Sequence, residues 1–163
     1  MTEIRENVPK VRRGVIETWI RHDLENRPPR SALIVPIVPD AVPGLARLKK
    51  KFIIAPCSNG NVALMTDLAK HSGLPWDVIL GAELTHHYKP DPEVCQTAVD
   101  LLGPENAEVM MVAAHLGDLG AAKRVGLRTW LVPRPKEHGP NGTPDLQPNA
   151  SVDLAAKDSW TSA

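Results

Sequence analysis

Between residues 41 and 132, short apolar runs alternate with segments of helical periodicity, and this alternation restricts what the chain can become. Phe52-Ile53-Ile54-Ala55, Val78-Ile79-Leu80, Val109 to Ala113 and Thr129 to Val132 read as short buried strands. Helical spacing fills the intervals. Val42, Leu45, Ala46 and Leu48 predict a short helix starting near Pro43. Asn61 to Ser72 places Val62, Leu64, Met65, Leu68 and Ala69 inward, with Gly73 closing the helix and Pro75 barring its continuation. Asp91-Pro92-Glu93 is a strong helix start, and that helix runs to Leu102 before Gly103-Pro104 stops it. Asp118 to Val125 predicts one more helix, with Gly126 at its end. Strand-helix alternation at this spacing implies βαβ units, a parallel sheet and helices on both faces. Ligands in such sheets bind beyond the carboxyl ends of the strands.

The flanks read differently. Val11, Val15, Ile16, Trp19, Ile20 and Leu24 recur at helical spacing and predict an amphipathic helix over 10–26, ended by Arg27-Pro28-Pro29-Arg30. Ala32 to Val38 is apolar, but Pro36 makes it a poor central strand because each proline deletes a ladder hydrogen bond. Ten of the sixteen prolines gather at 28–43 and 133–148. The expected organisation is an irregular N-terminal arm over 1–40, an α/β core over 41–135 and a polar, proline-rich tail over 136–163, with a short helix near 153–158.

Bulk properties exclude several classes. With 163 residues, one domain and a modest core are expected. Nineteen basic residues balance nineteen acidic ones, and no basic run suggests a nucleic-acid partner. No stretch reaches the ~18 apolar residues of a membrane span. Two cysteines, Cys57 and Cys95, are too few for a disulfide framework and fit reduced thiols in a cytoplasmic protein. Cys57 at a strand end reads as a small buried residue rather than a thiol nucleophile. His86-His87 are adjacent and cannot share a helical face, so no metal site is expected there. The four tryptophans read as packing residues.

Chemistry-bearing residues collect at the predicted strand ends: Ser58-Asn59-Gly60 after one strand, Lys89-Pro90 in a loop, and His115 with Asp118 after another. A hydroxyl, an amide and backbone N–H groups at a strand-helix junction can hold an anion. Ser58-Asn59-Gly60-Asn61, Gly73-Leu74-Pro75-Trp76-Asp77, Tyr88-Lys89-Pro90-Asp91-Pro92 and Met110-Met111-Val112-Ala113-Ala114-His115 together resemble the haloacid dehalogenase superfamily, most closely its type II 2-haloacid dehalogenases. Asp118-Leu119, Gly126-Leu127-Arg128-Thr129 and Pro133-Arg134-Pro135 continue the likeness, which covers roughly residues 40–140.

The resemblance implies a partial Rossmann-like parallel sheet and a hydrolase of carbon-halogen bonds in small 2-haloacids. Ser58 would bind the substrate carboxylate, Asn59 would help hold the departing halide, Lys89 would supply a fixed positive charge, and Asp118 would orient Lys89 and the hydrolytic water. The best-known dehalogenases carry serine and asparagine where this chain has Ala113 and His115, so His115 either hydrogen-bonds near the leaving group or holds its loop. Phosphatases of the superfamily need a further acid four residues before Asp118, where this chain has Ala114. A metal-free branch is therefore expected, with no cofactor. The partner expected is a 2-haloacid or another small carboxylate, with neither nucleic acid nor membrane, and the resemblance leaves room for a homodimer.

The family's nucleophile is an aspartate ending the first, central strand, and no such pattern occurs in residues 1–57. Asp40 follows Pro39 and lacks the correctly spaced glycine, so Asp40-Ala41-Val42-Pro43-Gly44-Leu45 reads instead as the family's return from cap to core. The expectation is a truncated form, lacking the first strand and most of the cap, with a vacant sheet centre and little or no activity. Alternatives are a non-catalytic remnant that binds small anions or another chain and, more distantly, a phosphatase.

Overall fold

The computed structural model describes residues 14–18, 40–135, 137 and 142–156. In chain order the elements are β1 (Gly14–Thr18), α1 (Ala41–Lys49), β2 (Ile53–Pro56), α2 (Val62–Ser72), the single turn α3 (Ala82–Thr85), α4 (Pro92–Leu102), β3 (Val109–Ala113), α5 (Leu116–Arg124), β4 (Arg128–Leu131) and β5 (Leu154–Ala155). The strands form one five-stranded sheet in the order β2-β1-β3-β4-β5, and every pairing is parallel.

The core explains why β3 carries no polar alternation. Val109, Met111 and Ala113 pack with Val94, Cys95, Ala98 and Val99 of α4 and Leu119, Ala121 and Ala122 of α5. Met110 and Val112 meet Leu45 of α1, Ile54 and Val132 on the other face, with Trp76 and Trp130 at its margin. Every residue of β3 is buried, because a parallel strand covered on both faces has no solvent side. The tryptophans described there are packing residues, as expected.

The centre of the sheet departs from expectation. Gly14–Thr18 is a strand, not part of a helix, and it occupies the middle position expected to be vacant. Gly14 lies level with Ile53 and Val109, Glu17 with Pro56 and Val112, and Thr18 with Ala113. Tertiary context overrides the helical spacing here. Two neighbouring strands offer rows of backbone donors and acceptors, and a β-branched pair such as Val15-Ile16 suits a strand. The rest of the predicted 10–26 helix and the run Ala32 to Val38 lie outside the described residues.

Other boundaries shift for local reasons. Of Val78-Ile79-Leu80, only Leu80 pairs, in an isolated bridge with Cys57. Asp77 takes over at the sheet edge: its Oδ2 accepts from Ile54 N at 3.0 Å, its own N–H donates to Ile54 O at 2.9 Å, and Lys49 Nζ donates to its Oδ1 at 2.6 Å. A charged side chain thus satisfies the outer edge of β2 where an unpaired strand would invite association. Burial pulls the Asp77 carboxyl upward, but these hydrogen bonds outweigh it and hold the group below the ordinary aspartate value. The short helix expected near 153–158 is instead β5 at Leu154–Ala155, with Lys157 onward outside the described residues. Asp153 directs it there by accepting from Thr129 N and Thr129 Oγ1 and pairing with Lys123.

The helix ends follow their sequence signals. Gly73 and Gly103 close α2 and α4 in the left-handed region, at φ 68° and 78°. Asn61 caps α2, its side chain accepting from Leu64 N at 2.8 Å. Asn61→Ala is expected to cost about 1 kcal/mol. A thermal melt should show this as a fall of roughly 2–4 °C.

Candidate active site

Three connections converge at the carboxyl ends of β2 and β3. The first follows β2. Ser58 is buried, and its Oγ accepts from Gly60 N at 3.0 Å, folding the chain into the tight turn that precedes α2. Ser58 does not cap α2, because Asn61 holds that position. The neighbouring Cys57 is fully buried, and burial pushes its thiol up to about 11 even though the Lys89 charge pulls it down. A thiol held protonated is a poor nucleophile, which agrees with the sequence reading.

The second connection carries Lys89, and Asn59 holds it in place. Asn59 Oδ1 accepts from Lys89 N at 2.7 Å, and its Nδ2 donates to Lys89 O at 3.3 Å. Both ends of the Asn59 amide thus grip the backbone of the lysine. Arg124 Nη2, at the end of α5, donates to Pro90 O at 3.2 Å and ties the same loop to the helix below. Asp91 occupies the N-cap position of α4 but makes no side-chain cap bond, and its carboxylate lies 3.5 Å from His87 Nδ1. Exposed His87, Asp91 and Glu93 bring ligand atoms within 4.8 Å of one another, a group that adjacency arguments about His86 and His87 do not anticipate.

The third connection is the start of α5. His115 is the N-cap residue and Asp118 lies in the first turn, so the helix begins earlier than Asp118, where the sequence reading placed it. Lys89 Nζ donates to Asp118 Oδ2 at 3.2 Å, with only 12% and 11% of the two side chains exposed. His115 lies between two carboxylates, its Nδ1 3.8 Å from Asp118 Oδ2 and its Nε2 3.1 Å from Glu137 Oε1. Its hydrogen bond to Asp118 raises the imidazole above its ordinary value; burial and the Lys89 charge oppose that rise, while the Glu137 and Asp118 charges add to it.

Of the residues singled out in the sequence, Lys89, Asp118 and His115 therefore meet directly, and Ser58 joins them through Asn59. Glu137 and Asp145 escaped the sequence reading. Asp145 Oδ2 accepts from Leu116 N at 2.8 Å, at the first turn of α5. Both acids come from the polar segment after β4, far along the chain from their partners, and no periodicity marks them. Glu17 escaped too, because its segment read as helix; it lies one position before the last paired residue of the central strand.

Asp40 has a different employment. Its carboxylate oxygens accept from Arg134 Nη1 at 3.1 and 2.9 Å, with 8% and 10% of the two side chains exposed. The pair pins the start of α1 to the segment after β4.

A sheet of this order, with a lysine-aspartate pair and a serine turn at its carboxyl edge, invites comparison with known families. A family model described as haloacid dehalogenase-like hydrolase matches residues 10–126. The chain belongs to that family. Among curated relatives, (S)-2-haloacid dehalogenase 4A of Burkholderia cepacia is 35% identical over 123 residues, which is 68% of this chain and 53% of that one. Among solved structures, the defluorinating L-2-haloacid dehalogenase Rha0230 superposes with a TM-score of 0.71 at 50% identity, over 74% of this chain and 49% of that one. The L-2-haloacid dehalogenase PA0810 gives the same TM-score at 48% identity, over 74% and 52%. The chain thus spans about half the length of the curated relatives it matches. Among the described residues, no helix is long and apolar enough to cross a membrane.

Proposed function

We propose that this chain carries the substrate-receiving half of a 2-haloacid dehalogenase site. A small carboxylate binds at the carboxyl edge of the sheet, with Ser58 as its hydroxyl partner and Lys89 as its counter-charge. Asp118 orients the Lys89 ammonium and the hydrolytic water, and His115 completes the wall toward the leaving group. Asn59 acts by gripping the Lys89 backbone, so any contact it makes with a halide is secondary to that role. The observation that carries the reading is the Lys89–Asp118 contact, a nearly buried charge pair beyond the strand ends.

The family's reaction needs a carboxylate that attacks carbon and an ester that water then cleaves. At the end of β1 the sequence reads Glu17-Thr18-Trp19, with no aspartate. By itself, this chain is therefore expected to bind 2-haloacids and release halide slowly or not at all. A second reading, binding of small anions without turnover, is favoured by that same observation. A phosphatase is disfavoured by Ala114, which leaves Asp118 without the second acid a magnesium ion needs.

Calorimetry tests the proposal. Chloroacetate should bind the wild type without added metal, and Mg²⁺ should bind only weakly. Tight Mg²⁺ binding lost in Asp118→Asn, together with preference for a phosphate ester over chloroacetate, would instead support the phosphatase.

A further inference from the structure

Glu137 takes part in none of the steps above, yet its carboxylate lies 3.1 Å from the outer nitrogen of His115. The geometry points to Glu137 as a positioning residue, which holds His115 and, through it, Asp118, in one chain of alternating charge: Lys89, Asp118, His115, Glu137. This inference rests on Lys89 and Asp118 being the working pair of the site.

Each link has its own observation. Lys89 Nζ is 3.2 Å from Asp118 Oδ2, His115 Nδ1 is 3.8 Å from the same oxygen, and His115 Nε2 is 3.1 Å from Glu137 Oε1. With a carboxylate at 3.8 Å from one ring nitrogen and another at 3.1 Å from the other, the ring lies between two negative charges, which favours its protonated form. Burial and the Lys89 charge oppose that protonation, and His115 stands at the N-cap of α5, where the helix dipole opposes it as well. Asp118 already answers Lys89, so a second counter-charge is needed, and Glu137 supplies it. Asp145, from the same segment, accepts from Leu116 N beside it. Two carboxylates of one segment thus close around the start of the helix that carries Asp118.

Among the described residues, the charged groups acting on His115 include Asp118 on its own helix, Glu137 on the segment after β4 and Lys89 on the loop before α4. Because the folded imidazole titrates above its free value of about 6.5, the stabilisation is complete below that pH. It disappears as pH rises through the folded value. Above it, the neutral ring no longer attracts both carboxylates, and the Lys89–Asp118 pair loses its outer support.

The test follows the imidazole resonances of the full chain by NMR while chloroacetate affinity is measured across pH. The thermal melt of each variant serves as the control for an intact fold. In Glu137→Gln, the His115 midpoint should fall and the alkaline loss of chloroacetate affinity should move to lower pH with it, while the melting temperature stays close to that of the wild type. Glu137→Asp should recover part of both shifts. If the His115 midpoint and the binding profile of Glu137→Gln coincide with those of the wild type, the positioning role is overturned. It is overturned equally if Glu137→Asp, folded by its thermal melt, recovers neither the His115 midpoint nor the binding profile. Failure of the wild type to bind chloroacetate at any pH would count against the site reading instead, and the His115 midpoints would still judge the role of Glu137.

Discussion

Asp40→Ala is expected to destabilise the chain by about 3–5 kcal/mol, the largest stability effect among the changes considered, although Asp40 does no chemistry. The reason is the nearly buried contact with Arg134. Removing the carboxylate takes away the charge 2.9 Å from a nearly buried guanidinium, and the desolvation of that guanidinium is then offset less. Removing both charges should behave differently. Replacing a buried ion pair with well-packed apolar residues is often neutral or stabilising, so Asp40→Leu with Arg134→Met should regain much of the lost stability. Denaturant unfolding of the two single variants and the double variant measures this coupling. A loss in the double variant equal to the sum of the two single losses would mean that the pair is incidental to the fold. The same series separates Asp40 from catalysis, because a folded Asp40 variant should keep its affinity for chloroacetate.

The largest functional effect is expected at Lys89. Lys89→Met keeps most of the side-chain volume and removes the charge that would face a bound carboxylate. A hydrogen bond to a charged group is worth about 1.5–3 kcal/mol, so chloroacetate affinity should fall by roughly ten- to a hundredfold. A second readout has its sign fixed by the structure. Lys89 holds the His115 imidazole down, so its removal should raise the His115 midpoint. Unchanged affinity in a folded Lys89→Met would remove the lysine from the site.

The outer sheet and the site residues were legible in the sequence because their signals are local. Gly73, Gly103 and the Ser58-Asn59-Gly60 turn are read from backbone preference and short spacing, and β3 from an apolar run that needs no partner to be recognised. The centre of the sheet was not legible. Val15-Ile16 sits within a helical pattern, and only the two flanking ladders make the segment a strand, a condition no local window contains. Long-range partners account for the other misses. Glu137 and Asp145 act on the start of α5 from about twenty to thirty residues further along the chain, and Asp77 replaces a predicted strand by binding the edge of β2. In each case a side chain performs work that backbone propensity cannot report.

We propose that the receiving half of the site is assembled and that the described residues do not supply the carboxylate that attacks carbon. Halide release from a 2-haloacid such as 2-chloropropionate, measured beside chloroacetate binding for the wild type, Glu17→Gln and Asp40→Asn, tests it most directly. Binding is expected in the folded proteins, with halide release near the uncatalysed rate in all three. Robust release by the wild type, abolished by Glu17→Gln or Asp40→Asn, would contradict the claim and place the nucleophile within this chain.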